Sequence, residues 1–268
     1  MTDEALPTIH GHQLEDSATM HVILTGATGQ VGSGVLAHML SLPASQLTRL
    51  SILSRKPVPL AEEANKPNVK VILHDDFANY PPELLEELNG AHGVVWALGV
   101  SQADVTEEDY IRVTKDYPLT AARAFSELSD KFNFVYVSGE GATLRPGMFT
   151  PLFGRVKGET EAALLEMSKN IPSLNVYSLR PGAVDHTKHA EIVKHVAARR
   201  TGLKFKIGDN VLLPVVRTCF PNMHSPTREL GKVLTELAMG DGKPLRGPGV
   251  EGEGRTITNV GQRRLAGL

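Results

Sequence analysis

The strongest constraint on the fold is a glycine-rich turn at residues 25–32, Thr-Gly-Ala-Thr-Gly-Gln-Val-Gly. The apolar run His21–Thr25 leads into this turn, and apolar residues at helical spacing follow it. This order predicts a buried parallel strand, a tight turn at Gly26, and a helix that Gly32 allows to pack closely on the strand. Gly29 lets the backbone approach a pyrophosphate, because the start of the helix offers N–H groups and a positive dipole end. The predicted cofactor contacts in the turn are Gly26, Thr28, Gly29, Gln30, Val31 and Gly32.

Short apolar runs alternate with helical patterns along most of the chain. Six such runs are His21–Thr25, Leu50–Ser54, Val69–Leu73, Gly93–Leu98, Asn133–Ser138 and Leu174–Leu179. Strands of this length separated by helices predict an α/β fold with a doubly wound parallel sheet of the Rossmann type. One connecting helix is predicted to begin at an N-cap, Thr106, and to run toward Ser129 with a kink or break at Pro118.

The regular alternation ends after Pro181. Residues 185–268 contain helical patterns at about 188–200 and 226–239 among scattered prolines and glycines. We interpret them as a small substrate-binding cap at the carboxyl ends of the strands. The predicted organisation is a flexible tail over residues 1–20, a Rossmann core over 21–184, and the cap over 185–268 within the same domain.

Composition excludes several classes of function. The chain has 268 residues, of which 41% are hydrophobic, which is enough for a sizeable core. A formal net charge of -2 gives no global attraction to nucleic acid or to an acidic membrane, and no apolar run reaches the length of a membrane span. The single cysteine, Cys219, excludes an internal disulfide and a cysteine zinc site. We expect a cytoplasmic protein that acts on a small molecule, with a homodimer as an open alternative.

Polar residues that could bind a metal or an anion occur in three groups. The groups are His10 and His12 in the predicted tail, Asp185, His186, His189 and His195 after the sixth strand, and the basic run Arg199, Arg200, Lys204 and Lys206. The tail pair is interpreted as solvated, and the second group lacks a recognised zinc spacing, so no metal site is predicted. His186 or His189 could instead contact a substrate. The basic run is interpreted as a solvated face or, alternatively, as a site for an anionic substrate group.

The end of the second strand bears on the choice of cofactor. Ser54, Arg55 and Lys56 stand there, whereas a site for NAD usually has an acidic residue that accepts from the ribose. Two cations suit the additional 2′-phosphate of NADP, which an arginine can bind through two hydrogen bonds. We therefore predict NADP; the alternatives are a solvated basic turn and a glycine-rich turn that binds no nucleotide. Further predicted contacts are Asp76 near the adenine, and Ala97, Leu98 and Gly99 in a small-residue turn.

Six segments of the chain form a combined pattern. They are Thr25–Gly32, Ser54–Lys56, Asp75–Asp76, Tyr136–Gly141, Val156–Glu159 and Leu179–Gly182. Together they resemble the short-chain dehydrogenase/reductase superfamily in its atypical, epimerase-like branch, over about residues 20–185. Within that branch the chain looks most like the small oxidoreductases related to the Tat-interacting protein. The resemblance implies a nicotinamide dinucleotide, with further cofactor contacts at Lys157, Pro181 and Gly182.

In that superfamily the chemistry rests on a Tyr-x-x-x-Lys pair, a serine after the fifth strand, and often an asparagine in the fourth helix. Lys157 matches the lysine, but Phe153 stands in the place of the tyrosine. Alignment on Gly141 puts Gly139 at the serine position, next to Ser138, and no asparagine occurs between residues 91 and 132. Phe has no proton to give, so another group supplies it, the reaction needs none, or catalysis has been lost. The predicted catalytic positions are Lys157, Glu140, Ser138, Phe153 and His186, with Arg145, Asp116 and Tyr117 as further candidates.

Three functions are compatible with this pattern. The leading interpretation is an NADP-dependent oxidoreductase that acts on a small organic carbonyl, alcohol or enone with a non-standard proton donor. The second is a non-redox isomerase, cyclase or rearrangement catalyst on the same scaffold. The third is an NADP-binding regulator without catalysis.

Overall fold

The computed structural model describes residues 20–202, 205 and 207–268. The tail histidines His10 and His12, and two members of the basic run, Lys204 and Lys206, lie outside the described residues. Within the described residues, no helix combines the length and the apolar character that crossing a bilayer requires.

One sheet of eight strands forms the centre of the described structure. Its strands are β1 (His21–Thr25), β2 (Arg49–Ser54), β3 (Val69–Leu73), β4 (Gly93–Trp96), β5 (Phe132–Val137), β6 (Leu174–Leu179), β9 (Val250–Glu251) and β10 (Thr256–Ile257). The spatial order is β3-β2-β1-β4-β5-β6-β10-β9, and every pair is parallel except β10 with β9. The order of strands reverses between β1 and β4, which is where ligands bind in such sheets. All six predicted strands and the doubly wound fold are confirmed.

Helices cover both faces of this sheet. They are α1 (Gln30–Ser41), α2 (Pro59–Ala64), α3 (Pro82–Leu88), α4 (Glu107–Ile111), α5 (Tyr117–Phe125), α6 (Leu152–Asn170), α7 (Ala190–Ala197), α8 (Leu213–Cys219), α9 (Thr227–Met239) and α10 (Asn259–Ala266). Successive residues of β1 point to opposite faces, so Leu24 packs in the core on the side of α1 and α9, whereas Ile23 packs on the side of α3, α5 and α6. Because both faces are covered, all five residues of β1 are buried.

The predicted helix between β4 and β5 is interrupted just before Pro118 rather than at it. Thr106 is the N-cap, as predicted, and accepts from the Asp109 N–H at 3.2 Å. A π-helical turn, Arg112–Asp116, then joins α4 to α5, which ends at Phe125. Proline has no N–H, so Pro118 cannot donate to the carbonyl group of Thr114. That carbonyl accepts instead from the Tyr136 hydroxyl at 3.0 Å.

The C-terminal region is only partly a cap at the carboxyl edge. The two predicted helices are present as α7 and α9, and two short strands, β7 (Ala183–Asp185) and β8 (His224–Pro226), pair with each other. However, α9 lies on the core face of the sheet against α1, where a Cβ added to Gly34 would lie 2.6 Å from the Thr227 carbonyl oxygen. In addition, β10 extends the central sheet beside β6. Strands of two or three residues carry no readable periodicity, which is why the prediction placed them all in the cap.

Candidate active site

The glycine-rich turn connects β1 to α1 at the carboxyl edge of the sheet. Gly26 has a φ of +69°, and a Cβ on it would overlap the backbone of Ala97, which follows β4. A Cβ on Gly32 would overlap the Gly26 carbonyl group, so only glycine lets α1 approach this closely. The Gly29 N–H donates to the Gly26 carbonyl at 2.9 Å. No described side chain caps α1, so its first-turn N–H groups are available to a phosphate.

The predicted 2′-phosphate contacts lie beside this turn. Ser54, Arg55 and Lys56 line a cavity of about 200 Å³ together with Thr28. The Ser54 hydroxyl donates to the Lys56 carbonyl at 2.7 Å and thereby shapes the turn after β2. Both cations are exposed, and in the described part of the chain no carboxylate pairs with either of them. The cavity therefore has an excess of positive charge.

The predicted adenine contact does not line this cavity. Asp76 is exposed, and its carboxylate accepts from the Ala78 N–H at 3.1 Å, so it shapes the loop after β3. The neighbouring Phe77 is buried and forms part of the cavity wall.

A larger cavity of about 770 Å³ extends from the start of α1 to α6. Most of the predicted cofactor contacts line it, and these are Gly29, Gln30, Val31, Ala97, Leu98, Gly99, Lys157, Pro181 and Gly182. The loop after β6 is held in place because the Gly182 N–H donates to Ser225 Oγ at 2.9 Å and to Asn259 Oδ1 at 3.2 Å. The structure thus brings residues from four separate segments to one continuous space.

Lys157 lies on α6 and faces this cavity. Its ammonium group donates to the backbone carbonyls of Val137 at 3.1 Å and Ser138 at 2.7 Å, at the end of β5. The ring of Tyr136 lies 5.8 Å below the ammonium nitrogen. Burial of the charge lowers the pKa of Lys157 to about 8, and the carboxylate of Glu161 opposes that shift. Since an ammonium has three N–H donors, one is left for a ligand.

Phe153 lies one turn before Lys157 on the same face of α6 and also lines the cavity. Its backbone N–H donates to the Gln102 side chain at 2.8 Å. Gly141, with a φ of +90°, lies beneath the Phe153 ring. A Cβ on Gly139 would lie 3.9 Å from Lys157 Cδ, which is an ordinary contact distance. The two positions that lack the hydroxyls of the superfamily pattern therefore both adjoin Lys157.

The remaining predicted catalytic residues have different environments. Ser138 is buried beside the cavity, and its hydroxyl has no hydrogen-bond partner among the described residues. Glu140 lines the cavity, but its carboxylate accepts from the Asn259 N–H at 2.6 Å and so caps α10. His186 is buried behind the glycine-rich turn, with Nδ1 3.1 Å from Gln30 Nε2, and does not line the cavity. Burial lowers its pKa, which favours the neutral ring.

The relatives of this chain include two proteins that are named after biosynthesis clusters. A protein of Purpureocillium lilacinum named leucinostatins biosynthesis cluster protein T is 34% identical over 263 residues, which cover 91% of this chain and 94% of that protein. Botcinic acid biosynthesis cluster B protein 16 of Botryotinia fuckeliana is 42% identical over 158 residues, which cover 56% of this chain and 98% of that protein. No protein-family model matches the chain.

Solved structures share the fold at low sequence identity. A short chain dehydrogenase family protein from Francisella tularensis aligns with a TM-score of 0.64 and 13% identity, over 92% of this chain and all of that one (100%). FolM alternative dihydrofolate reductase 1 from Brucella canis, in complex with NADP, aligns with a TM-score of 0.59 and 13% identity, over 94% and 96% of the two chains. The chain therefore belongs to the same family as the leucinostatins cluster protein, and it shares the fold of the short-chain dehydrogenases/reductases.

Several residues at the cavity were not predicted from the sequence. Tyr110 and Thr114 reach it from α4 and the π-helical turn, and Met223 reaches it from the segment before β8. Pro118, four residues after Thr114, is the available sequence signal, because a proline leaves the carbonyl four residues earlier without its helical N–H donor. Arg200, which was interpreted as part of a solvated face, also lines the cavity.

Proposed function

We propose that the protein is an NADP-dependent oxidoreductase that acts on a small organic carbonyl, alcohol or enone. The observation that carries this proposal is the continuous cavity from the start of α1 to Lys157. A dinucleotide that binds its phosphates at the glycine-rich turn would extend toward Lys157 along the ends of β4, β5 and β6. Solved relatives of this fold include a protein in complex with NADP.

The residues present fit this cofactor. A Cβ at Gly26 or Gly32 would overlap the backbone that packs around the turn, and both positions are glycine. The cavity beside β2 has unpaired cations at Arg55 and Lys56, as a 2′-phosphate requires, and no acidic residue of the kind that selects NAD. NADPH, when bound, supplies the hydride for the reaction.

Lys157 has a defined role in this proposal. Two of its N–H groups are held by the carbonyls of Val137 and Ser138, which directs the ammonium to the cavity. The third N–H binds a ribose hydroxyl of the cofactor, and the positive charge favours an oxyanion that develops on the substrate.

Ser138 is the group that we propose to contact the substrate oxygen. Phe153 cannot donate a proton, and Glu140 already accepts a hydrogen bond from α10. By contrast, the Ser138 hydroxyl is unpaired in the described structure and adjoins the carbonyl that holds Lys157. A buried hydroxyl without a hydrogen-bond partner is unfavourable unless a ligand supplies that partner.

Part of the cavity lining is apolar, which supports an apolar substrate. Phe153, Met223, Val184 and Val100 line it, beside polar residues such as Gln102. Two relatives carry the names of biosynthesis clusters, for leucinostatins and for botcinic acid. We therefore propose that the substrate is an apolar intermediate of a biosynthetic sequence.

The decisive experiment follows the hydride. NADPH deuterated at C4 is incubated with the protein and a panel of ketones, quinones and enones, and the products are examined by mass spectrometry. Stereospecific transfer of deuterium to a product supports the proposal. Product that forms without consumption of NADPH contradicts it and points to non-redox chemistry.

A non-redox isomerisation, cyclisation or rearrangement is the second candidate function. Phe153 and Gly139 favour it, because neither carries the hydroxyl that carbonyl reduction uses in this superfamily. The same incubation distinguishes the two candidates, since only reduction consumes the cofactor.

A further inference from the structure

The segment that follows α7 carries two arginines that contact the glycine-rich turn. Arg199 donates from its guanidinium to the Thr28 carbonyl at 3.2 Å. Arg200 donates to Gln30 Oε1 at 2.8 Å. The two side chains therefore contact the residues that flank Gly29 in the chain, although about 170 residues separate each contact pair along the sequence.

The backbone at this point is anchored to the core. The N–H groups of Arg199 and Arg200 both donate to the Val196 carbonyl at 3.1 Å, at the end of α7. Val196 and Ile192 are buried, and α7 packs against α1. The position of Arg199 beside the turn is therefore set by the packing of α7.

Arg199 contributes to the same cavity as the two cations after β2. Arg55, Lys56 and Arg199 all line the space of about 200 Å³. Among the described residues, no carboxylate pairs with any of the three, whereas Arg200 is paired with Asp209 at 3.2 Å. Three cations around so small a cavity repel one another, and a doubly charged anion there would relieve that repulsion.

We propose that Arg199 is a third ligand of the 2′-phosphate of NADP, supplied by the segment after α7. The inference rests on the proposed function, since it assumes that the cofactor is NADP. Arg199 exchanges a neutral acceptor, the Thr28 carbonyl, for a charged one, and charge-assisted hydrogen bonds are roughly twice as strong as neutral ones. Arg199 therefore contributes to cofactor selectivity rather than to binding of the adenosine itself.

Arg200 has a different role from its neighbour. Its partner Gln30 also donates from Nε2 to the Val184 carbonyl at 2.7 Å, so Arg200, Gln30 and β7 form one polar connection. This connection holds the segment on the turn without any ligand. Consequently, loss of Arg199 removes a phosphate contact while Arg200 keeps the backbone in place.

Two ligands that differ only in the 2′-phosphate test the proposal. Binding of adenosine 2′,5′-bisphosphate and of adenosine 5′-phosphate is measured by calorimetry on the full chain, with Arg199→Ala, Arg199→Lys and Arg55→Ala. The control variant is Lys194→Ala on the preceding turn of α7, whose ammonium is paired with Glu63 at 2.7 Å and does not line this cavity. Circular dichroism confirms that each variant is folded.

We expect the wild-type protein to bind the bisphosphate at least tenfold more tightly. Arg199→Ala should reduce that preference by about tenfold, the size of one charge-assisted contact, and leave the affinity for the 5′-phosphate within twofold. Arg199→Lys should retain part of the preference, and Lys194→Ala all of it.

Two outcomes would overturn the inference at different levels. If the wild-type protein shows no preference, the assignment of NADP fails and the inference fails with it. If Arg55→Ala abolishes the preference but Arg199→Ala leaves it intact, the assignment of NADP stands and only the role of Arg199 is wrong.

Discussion

Lys157 shows how one residue is set for its role by burial and by backbone partners. The carbonyls of Val137 and Ser138 hold its ammonium in a site where desolvation lowers the pKa to about 8. The charged form therefore predominates at pH 7, but the group loses its proton near pH 8 rather than near its usual pKa of about 10.4.

The lowered pKa of Lys157 predicts a pH dependence of cofactor binding. Burial disfavours the charged form, so above about pH 8 the ammonium becomes an amine and no longer attracts the cofactor. We expect the dissociation constant of NADP⁺ to rise as the pH passes above 8. Lys157→Met should weaken binding at pH 7 by about 1–3 kcal/mol and remove this step. An identical pH profile in the variant would contradict a role for Lys157 in binding.

Phe153 and Gly139 together predict a gain of activity. A Cβ on Gly139 meets Lys157 only at ordinary contact distances, so Gly139→Ser fits. We expect Phe153→Tyr alone to add little, and the double variant Phe153→Tyr/Gly139→Ser to reduce simple ketones at least about tenfold faster than the wild type, because a positioned acid contributes about 10²–10⁴-fold. NADPH oxidation with ketones and quinones measures this. Strong ketone reduction by the wild type, with no gain in the double variant, would show that the donor lies elsewhere.

Ser138→Ala is expected to lower activity without lowering the stability of the fold. Its hydroxyl is buried and makes no hydrogen bond within the described structure, so Ser138→Ala removes no native contact. We expect kcat/KM to fall about tenfold and the free energy of unfolding to stay equal or to increase slightly. Turnover assays and urea denaturation measure the two quantities. An unchanged kcat/KM would remove Ser138 from the proposed mechanism.

The helices differ in how visible they are in the sequence. α1, α3 and α6 follow their apolar spacing closely, and the N-cap at Thr106 marks the start of α4. Apart from Pro118, which signals a free helix carbonyl, the π-helical turn after α4 leaves no mark in the sequence, and its Thr114 carbonyl accepts from the hydroxyl of Tyr136 on a distant strand. The residues that begin a helix are neighbours in the sequence, whereas this interruption of the helix involves tertiary contacts.

The close contact between α1 and α9 predicts that adding even one methyl group there lowers the stability of the protein. A Cβ on Gly231 would overlap the carbonyl group of Gly34, and both groups belong to rigid helix backbones. Gly231→Ala should therefore destabilise the protein by about 1–3 kcal/mol. Gly147→Ala, where no described atom lies within 4 Å of the added Cβ, is the control. Urea unfolding measures the stability of both variants. Equal unfolding midpoints would mean that α9 can shift away from α1 without loss of stability.

Ligand binding predicts a change in the stability of the whole molecule. The cavity joins the glycine-rich turn, α6 and the segment after α7, so a bound dinucleotide connects parts that are far apart in sequence. At a concentration 100 times Kd, NADP⁺ should stabilise the folded state by about 2.7 kcal/mol. For a chain of this size that corresponds to a rise in Tm of about 5–10 °C. Thermal unfolding with equal concentrations of NADP⁺ and NAD⁺ checks this, and equal shifts would contradict the preference for NADP.

The sequence by itself determined the class of fold and the position of the glycine-rich turn. Buried parallel strands are uniformly apolar, and the turn needs glycine at close backbone contacts, so both leave a local mark on the chain. Arg55 and Lys56 could be predicted for the same reason, since they directly follow a strand, whereas Lys157 was predicted only through the resemblance to a known superfamily.

Only the tertiary structure decided which distant residues join the site. Arg199 reaches one cavity because α7 packs on α1, and Tyr110 reaches the other from α4, in the connection between β4 and β5. His186, near the predicted site in sequence, lies behind Gln30, and Glu140 caps α10. Such placements depend on contacts between residues far apart in the chain, whereas spacing along the sequence describes only neighbours within one element.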